Sequence, residues 1–550
     1  MNALAVLYGG SLRSQALEKV FSVSGAEKCA LELALERARM FPGVQKTVIL
    51  VPETGLPRGA GSALPGDTEL LYPPAGEGVS SPGWNRRALL EALAGAGAGF
   101  DLTYYAWADS PFLDPALAAA VAERHLRYAA EYSYADGWPY GFSPELLSPG
   151  TAGILAKIAG DDQSPVERDS LFAVLQKDIN AFDIETEISP ADLRSHRLYL
   201  SADSKRNLLL LTRFSAAVSG GVPAAADAAG IIAGKPQLLR TLPAFYPIQV
   251  AGGCPQSCAL CPWPDLGARG GTPVTGRKDF LDPAAFEALL DRIAAFSGDG
   301  VIDISLWGET ALHPQKMELI RMALARPELA LVIETCGVGW KEEEFEAAAS
   351  LAASAPSGPA ALRPIAPPLS WIISLDTADP QRYRELRGPG FAEATGNAGK
   401  LLSLFPKDAY VQAVRTAGAE DDIEKFYRSW KETAPLGTGN IIIQKYDDFC
   451  GARQRMQASD LSPVERQPCW HLMRDLPILL DGTVPRCRED LSVFHGVKDK
   501  ILGNVFSDSL DTIWLRGEEF YVQQCALAGS KEPEYQGSCA GCDEYYTYNF

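Results

Sequence analysis

Six short apolar segments between residues 245 and 446 constrain the fold of this chain more than any other feature. They read FYPIQVAGG (245–253), VIDISLWG (301–308), LALVIETCG (329–337), LSWIISLD (369–376), AYVQAVR (409–415) and NIIIQKY (440–446). Amphipathic stretches with helical spacing, such as 282–296 and 314–326, separate them. Continuous apolar strands that alternate with helices predict a parallel sheet. In such repeated β/α folds, functional residues are expected at the carboxyl ends of the strands.

The first apolar segment runs directly into three cysteines. Cys254, Cys258 and Cys261 have the spacing C-x3-C-x2-C. A structural zinc site takes four ligands, usually from two C-x2-C pairs. Three close thiolates without a fourth nearby instead suit a cubane iron–sulfur cluster, because one loop can hold three corners and leave one iron open. A zinc loop completed by a distant ligand is the alternative.

This cysteine loop, with Trp263 beside the third thiol, resembles the signature of radical S-adenosylmethionine (SAM) enzymes. The resemblance implies an open (β/α)6 barrel and a [4Fe–4S] cluster whose open iron chelates the amino and carboxylate groups of SAM. It also implies that one electron cleaves SAM to a 5′-deoxyadenosyl radical, which abstracts a hydrogen atom from the substrate. The cofactor supplies this chemistry, and the protein positions and shields it.

The end of the second segment, WGETALHP (307–314), resembles the GGE motif of the same family. The resemblance implies that Gly308 lets the backbone approach the ligand and that Glu309 accepts a hydrogen bond from the SAM amino group. Trp307 stands where the family motif has its first glycine.

The end of the fourth segment, SLDT (374–377), resembles the SLDG motif of the family. The resemblance implies that Ser374 and Asp376 face the SAM ribose and carboxylate. YRELRG (383–388) resembles the helix and turn that follow, and it makes Arg387 a candidate for the SAM carboxylate.

A second set of cysteines lies near the C-terminus. Cys469 and Cys487 bracket Gly482 in a C-x12-G-x4-C pattern, and Cys539 and Cys542 form a C-x2-C pair. These residues resemble the SPASM and twitch domains that follow many radical SAM barrels. The resemblance implies one auxiliary [4Fe–4S] cluster with four cysteine ligands, as in the shorter twitch type. Tetrahedral zinc is the alternative for the same four thiols.

The other four cysteines lie outside these motifs. Cys525 falls in a helical stretch, where we predict a buried structural thiol and leave a ligand role open. Cys29, Cys336 and Cys450 have no partners in sequence, so we predict ordinary buried thiols.

The first 220 residues are predicted to form a separate domain. A strand (ALAVLY, 3–8), a glycine-containing loop, a helical stretch (28–41) and a second strand (KTVILV, 46–51) follow one another. This order is typical of nucleotide-binding folds, although the loop matches neither G-x-G-x-x-G nor a Walker A motif.

The loop pattern G-S-x-R-x5-K is similar to that of cytidylyltransferases that activate sugars, which have a nucleotidyltransferase-like (GT-A/Rossmann-like) fold. The resemblance implies that Arg13 and Lys19 contact the phosphates of CTP. YYAWADSPFLDP (104–115) and HRLYLSADSKRNLLLL (196–211) resemble the strands of that family that end in acids, which implies that Asp109 and Asp203 hold Mg²⁺. The loop departs from the usual Ala-Arg-x-Gly-Ser, so a domain that binds without reacting is the alternative.

The composition limits the cellular compartment and the classes of partner that we expect for this chain. The first ten residues lack the features of a signal peptide, and no run of 18 or more apolar residues occurs, so we expect a cytoplasmic protein without a membrane partner. Clustered thiols in that compartment indicate metal rather than disulfides. A formal net charge of −19 argues against a nucleic-acid partner.

The whole order of parts resembles the spiro-SPASM protein family. It predicts an α/β chain with a nucleotidyltransferase-like domain (1–220), a linker (221–242), a partial (β/α)6 radical SAM barrel (243–465) and a SPASM/twitch domain (466–550). The implied activity is hydrogen abstraction from a small polar substrate, such as a sugar or nucleotide-linked sugar. The implied cofactors are two [4Fe–4S] clusters and SAM, with an electron donor such as flavodoxin or ferredoxin. A peptide or protein maturase and a non-catalytic iron–sulfur scaffold or sensor are the alternatives.

Overall fold

The computed structural model describes residues 1–23, 25–56, 64–66, 68–74, 83–268, 272–357, 363, 365, 367–433, 439–463, 466–528, 534–535 and 537–547. The chain divides into two compact units, Met1–Thr241 and Leu242–Phe550. Within the described residues, none of the helices combines the length and the apolar character that a bilayer crossing requires.

The first unit contains a seven-stranded mixed sheet and a small two-stranded sheet. Its strands are β1 (Ala3–Tyr8), β2 (Phe21–Val23), β3 (Ala26–Lys28), β4 (Val44–Leu50), β5 (Glu69–Leu71), β6 (Leu102–Trp107), β7 (Tyr132–Asp136), β8 (Glu145–Leu147) and β9 (Ile184–Ile188). The large sheet has the order β5-β4-β1-β6-β8-β7-β9. β1 pairs in parallel with both β4 and β6, so the loops that follow these strands lie at one edge of the sheet.

Seven helices occur among the described residues of the first unit. They are α1 (Ala30–Ala38), α2 (Arg86–Ala96), α3 (Pro115–Arg127), α4 (Thr151–Ala159), α5 (Ser170–Leu175), α6 (Lys205–Ala216) and α7 (Ala228–Gly234). The segment predicted as a linker (221–242) contains α7 and two 3₁₀ turns, and Ala228 and Ile232 on α7 are buried. Its residues up to 241 therefore belong to the first unit.

The second unit is built on six parallel strands that pair strictly in sequence order and form a curled half-barrel. They are β10 (Phe245–Pro247), β11 (Gly300–Asp303), β12 (Leu329–Thr335), β13 (Leu369–Ser374), β14 (Ala409–Arg415) and β15 (Ile441–Lys445). Each lies within one of the six predicted apolar segments or starts one residue before it. The prediction of a partial (β/α)6 arrangement is confirmed.

Helices connect these strands. They are α8 (Trp263–Leu266), α9 (Pro283–Ser297), α10 (Lys316–Leu324), α11 (Glu342–Ser354), α12 (Pro380–Leu386), α13 (Phe391–Leu404) and α14 (Glu420–Thr433). α9 illustrates why they form where they do. Asp282 caps its first turn by accepting from Ala285 N–H, Pro283 takes the first helical position, and Gly298 ends it with a φ of 76°.

The last part of the chain packs on the half-barrel. It contains α15 (Trp470–Arg474), β16 (Thr483–Pro485), β17 (Ile501–Asn504), α16 (Leu510–Arg516) and α17 (Glu518–Ala528). Ile478 forms a parallel bridge with Ile248 beside β10, and Trp514 belongs to the same buried apolar core as the barrel strands. Both predicted cysteine sets therefore belong to one unit.

Candidate functional site

The three cysteines of the C-x3-C-x2-C motif lie half-buried in the loop that follows β10. Burial raises the pKa of Cys258 to about 11 and that of Cys261 to about 12, and the neighbouring Cys254 thiol adds to both shifts. The Sγ of Cys261 accepts a hydrogen bond from Trp263 N–H at 3.4 Å. Three thiols that influence one another fit a cluster that one loop holds at three corners.

A fourth thiol, that of Cys336, meets this loop. Cys336 follows β12 directly and is 4% exposed. Burial raises its pKa, and so does the hydrogen bond that it shares with Cys254, which in turn lowers the pKa of Cys254. The prediction of a buried thiol is correct, but Cys336 is not an isolated one, since it is hydrogen-bonded to Cys254. Its position directly after a barrel strand is the feature of the sequence that indicates a place at the functional site.

Gly308 lies in the loop after β11 and packs against the cysteine loop. Its φ is 90°, and a Cβ at this position would lie 2.0 Å from the carbonyl oxygen of Ala251. The next residue, Glu309, donates its N–H to the carbonyl oxygen of Gly253 at 2.8 Å. Glycine is required at this position because the loop after β11 packs closely on the cysteine loop. The resemblance instead implied that the backbone approaches the ligand here.

The Glu309 side chain is buried and accepts three hydrogen bonds. Its Oε1 accepts from Ala311 N–H at 3.0 Å and from the Thr335 hydroxyl at 2.7 Å, and its Oε2 accepts from Cys336 N–H at 2.8 Å. An ionised carboxylate offers about four acceptor positions, so one remains for a further donor. The residue therefore fits the predicted bond from the SAM ammonium.

Asp376 and Arg387 form a buried ion pair beside the cysteine loop. Asp376 has a φ of 66°, and its Oδ1 also accepts from Val414 N–H at 3.0 Å. Arg387 donates Nε–H to Gln256 at 3.2 Å, and its charge lowers the pKa of Cys258 against the effect of burial. The structure brings these two predicted residues together at the first cysteine set.

Ser374 takes part in a different network. Its hydroxyl donates to Glu334 Oε1 at 2.9 Å, and the Gln412 amide donates to the same carboxylate oxygen at 2.8 Å. All three residues lie on neighbouring barrel strands, β12, β13 and β14. Ser374 therefore holds Glu334 in position.

A cavity of about 930 Å³ in the second unit, including the space open to solvent, is lined by one thiol of the first cysteine set, Cys261. Gly308 also lines it, and so do Arg488 and Glu489, the two residues that follow Cys487. Its remaining charged residues come from barrel strands and the loops that follow them: Asp303, Glu334, Lys445 and Asp447. We call it the barrel cavity.

Asp303, the last residue of β11, is a buried carboxyl group of the barrel cavity with a perturbed pKa. Burial raises its pKa to about 7, and the charge of Glu334 adds to the shift. A hydrogen bond from Ser305 N–H at 2.9 Å and the charge of Arg488 oppose it. A group that titrates near neutrality can both accept and release a proton during a reaction.

The four predicted C-terminal ligands line a second cavity of about 390 Å³, together with Cys450. In two of them the N–H two residues further on donates to sulfur. Glu489 N–H donates to Cys487 Sγ and Glu544 N–H donates to Cys542 Sγ, both at 3.4 Å. Trp263 makes the same bond to Cys261 in the first set. Thiols supported in this way fit an iron–sulfur cluster, whose potential depends on hydrogen bonds to sulfur.

Cys450 corrects a second prediction. The sequence predicts a lone buried thiol, yet the Cys450 thiol is half-buried and hydrogen-bonds to that of Cys542. This bond and burial raise the pKa of Cys450, and the same bond lowers the pKa of Cys542. Cys525, in contrast, packs beside Cys469 and Tyr521 in a small apolar cluster.

In the first unit, Asp109 and Asp203 lie together, as the sequence predicts, but an arginine joins them. Arg168 donates to both oxygens of Asp109 at 3.1 and 2.8 Å and to Asp203 Oδ2 at 2.7 Å. Asp203 also accepts from the Ser201 hydroxyl at 3.0 Å and the Asn207 amide at 2.8 Å. A guanidinium group thus lies between the two carboxylates for which the sequence predicts Mg²⁺.

The segment around Asp203 departs from the predicted strand. Residues 197–204 contain one isolated bridge, between Tyr199 and Tyr140, and α6 begins at Lys205. Of the predicted phosphate contacts, Arg13 precedes a 3₁₀ turn in the loop after β1, and Lys19 lies exposed 3.6 Å from Glu32 Oε1. The loop after β1 and Asp109 after β6 share one sheet edge, because Tyr8 pairs with Trp107 in parallel strands.

Comparison with known proteins identifies the C-terminal region. Residues 469–543 match the SPASM family, described as an iron–sulfur cluster-binding domain. An uncharacterized protein of Treponema pallidum (strain Nichols) is 34% identical over 388 residues, which are 69% of this chain and 98% of that protein.

Two solved structures resemble parts of the chain. Streptococcus suis SuiB, in complex with the precursor peptide SuiA, is 14% identical with a TM-score of 0.40 over 58% of this chain and 74% of SuiB. A cytidylyltransferase from Leptospira borgpetersenii serovar Hardjo-bovis is 14% identical with a TM-score of 0.33 over 43% of this chain and 95% of that protein.

Proposed function

The chain belongs to the family of the Treponema pallidum protein and has a C-terminal SPASM domain, and we propose that it is a radical SAM enzyme that oxidises a small polar substrate bound in the barrel cavity. The observation that supports this proposal best is that one cavity is lined both by Cys261 and by Arg488 and Glu489, the residues after Cys487. A substrate there would contact the loops of both cysteine sets.

The ligand roles follow from the two sets of thiols. Cys254, Cys258 and Cys261 would hold the first [4Fe–4S] cluster and leave one iron for SAM, and Cys469, Cys487, Cys539 and Cys542 would hold the second. When bound, these groups supply a 5′-deoxyadenosyl radical that removes a hydrogen atom and a centre that takes up one electron. Flavodoxin or ferredoxin in the cytoplasm would reduce the first cluster.

The charges of the barrel cavity suggest the class of substrate. Lys445 is paired with Asp543 and Glu544, and Arg488 is paired with Glu489. Asp303, Glu334 and Asp447 are further acidic groups of the lining, and burial raises the pKa of Asp303 and of Asp447. Hydrogen-bond donors and cations are favoured in such surroundings. We therefore propose a substrate that carries hydroxyl and amino groups, such as an amino sugar or a nucleotide-linked sugar.

Asp303 would take the proton of this oxidation. Conversion of a CH–OH or CH–NH₂ group to a carbonyl or imine removes two hydrogen nuclei and two electrons. The bound cofactors would take up one hydrogen atom and one electron, and the remaining proton needs a base. Asp303, with its pKa near 7, is suited to that role, and Glu334 would keep its place through Ser374 and Gln412.

Aromatic rings border the same cavity and would limit the access of water. Trp307 stacks on Trp263 with ring centroids 6.0 Å apart, and Phe449 lies 5.7 Å from Trp307. Phe494 completes the cluster at 5.4 Å from Trp263. Shielding of this kind protects a reactive intermediate from side reactions.

The test is an anaerobic screen of polar metabolites and peptides with the reconstituted protein, SAM and a chemical reductant. We expect 5′-deoxyadenosine, together with a metabolite product that has lost two hydrogens. A modified peptide would instead support a maturase, and failure to cleave SAM would support a scaffold. Asp303→Asn should lower the yield of oxidised product, whereas Asp291→Asn, an exposed acid on α9, should not.

A further inference from the structure

The first unit contains an aromatic cavity that the proposed reaction does not use. Residues two apart on a strand share one face of the sheet, and this spacing places Tyr105 with Trp107 on β6 and Tyr132 with Tyr134 on β7. The cavity measures about 860 Å³, including the space at its mouth, and Trp138 and Phe172 also line it.

Three hydrogen-bond donors of this cavity lack acceptors. The Tyr105 hydroxyl, Trp107 Nε1 and Trp138 Nε1 are buried and have no hydrogen-bond partner among the described residues. Buried polar groups in folded proteins are paired with few exceptions, so each exception requires an explanation. A ligand with several acceptor oxygens would supply the missing partners.

The only guanidinium that lines the cavity, among the described residues, is already neutralised. Arg168 is held by Asp109 and Asp203 and lies over the Trp107 ring at 4.2 Å from its centroid. It occupies the place between the two carboxylates where a divalent ion would bind. Arg168 bonds to both oxygens of Asp109 and to Asp203, so its guanidinium fills the space between the two carboxylates that a bridging metal would need.

The other charged groups of the lining are acidic. Glu145 lies beside Tyr105 in the paired strands β6 and β8 and accepts from the Tyr132 hydroxyl at 2.5 Å. Asp169 lines the cavity next to Arg168. Acidic groups and a neutralised arginine do not suit a triphosphate, which needs cations around it. They suit hydroxyl or amino groups, and the aromatic walls suit the apolar faces of a ring.

We propose that the first unit binds a sugar ring, neutral or amino-substituted, in this aromatic cavity, and that it does so without a divalent cation because Arg168 takes the place of the metal. The unit then serves as a binding module, with no nucleotidyl transfer.

The binding test uses the full-length protein and saturation-transfer NMR with glucose, mannose, glucosamine and N-acetylglucosamine. We expect at least one of them to bind equally well with Mg²⁺ or EDTA. Tyr105→Phe removes only the unpaired hydroxyl and should weaken binding about tenfold, the upper range for a lost hydrogen bond. Tyr104→Phe is the matched control, since its hydroxyl is bonded to Pro42 on the opposite face of β6.

Two outcomes would overturn the binding proposal. One is the absence of binding by all four sugars, and the other is an affinity that Tyr105→Phe leaves unchanged. CTP that binds only with Mg²⁺, and loses binding in Asp109→Asn, would instead restore a working nucleotide site.

The metal test follows Mn²⁺ by electron paramagnetic resonance in the holoprotein. The wild type and Asp109→Asn should bind Mn²⁺ equally, because Arg168 closes the site. Arg168→Ala should gain one Mn²⁺ site, and Arg168→Ala combined with Asp109→Asn should lose it again. A wild-type Mn²⁺ site that Asp109→Asn abolishes would overturn the proposal, and this comparison does not depend on the folding of any Arg168 variant.

Discussion

The two units bring predicted ligand groups together but satisfy them in different ways. In the first unit, Arg168 compensates both Asp109, which follows β6, and Asp203, which lies in the segment before α6. In the second unit, thiols that follow barrel strands contact one another, and burial raises the pKa of most of them. A carboxylate pair can be satisfied by a guanidinium, whereas a group of buried thiols can be satisfied by a metal, which binds them as thiolates. Whether a site needs a metal ion therefore depends on whether a neighbouring side chain already balances the charge of the ligand groups, and not on the type of ligand residue alone.

The largest expected effect is the loss of iron when the thiols of the first cysteine set are removed. Reconstituted protein should carry about eight irons in two cubane clusters. Changing Cys254, Cys258 and Cys261 together to Ala should remove about half of the iron and all SAM cleavage. Iron analysis and 5′-deoxyadenosine assay measure both, and Cys29→Ala, a buried thiol of the first unit, is the control. Full iron content in the triple variant would exclude this assignment of ligands.

The second prediction compares how the stability contributed by two carboxyl groups depends on pH. Asp203 is paired with Arg168, whereas burial and the charge of Glu334 raise the pKa of Asp303. The pKa of Asp303 is raised from its usual 3.8 to about 7 in the folded protein, so its stabilising effect is present below pH 4 and is lost as the pH rises through 7. Asp303→Asn should therefore raise the free energy of unfolding at pH 8 by up to about 4 kcal/mol.

Asp203 should behave in the opposite way. Burial raises its pKa, but Arg168 and hydrogen bonds outweigh this effect and lower it, so its contribution is present above pH 4 and is lost as the pH falls. Asp203→Asn should destabilise the protein near neutral pH. Urea unfolding of both variants across the pH range measures the contrast. A loss of stability at pH 8 in Asp303→Asn would contradict it.

The third prediction concerns Glu309, a buried acid without a compensating cation in its three hydrogen bonds. Glu309→Gln should weaken SAM binding about tenfold, because it replaces a charge-assisted hydrogen bond to the SAM ammonium. The iron content should not change. Calorimetry with SAM measures the affinity, with Glu318→Gln on the surface of α10 as control. An unchanged dissociation constant would remove Glu309 from the SAM site.

The smallest expected effect is on the iron content when Cys450, the fifth thiol of the C-terminal set, is replaced. Cys450→Ser should leave about eight irons, and Cys469→Ser should leave about four, because a cubane takes four cysteine ligands. Iron analysis and Mössbauer spectroscopy check both variants. Loss of iron in Cys450→Ser would make Cys450 a ligand, with Cys542 as its hydrogen-bonding neighbour.

The sequence by itself determined the six barrel strands, the order of the parts and both main cysteine sets. These features depend on local information: apolar periodicity predicts strands, and a short spacing such as C-x3-C-x2-C brings thiols together whatever surrounds them. Even here the strand boundaries differ from the prediction. The strand predicted within 301–308 runs over Gly300–Asp303, and the chain then turns at Trp307 and Gly308, which both have positive φ.

Only the tertiary structure decided which distant residues meet. Cys336 contacts Cys254, Cys450 contacts Cys542, and Arg168 joins Asp109 to Asp203. The local sequence of Cys450 and of Arg168 indicates no partner, and that of Cys336 shows only that it follows a strand. Asp303 likewise looks like an ordinary strand-end acid, and its pKa near 7 comes from burial against Glu334 of the neighbouring strand. Contacts between residues far apart in the chain depend on the packing of whole elements, which short-range patterns do not encode.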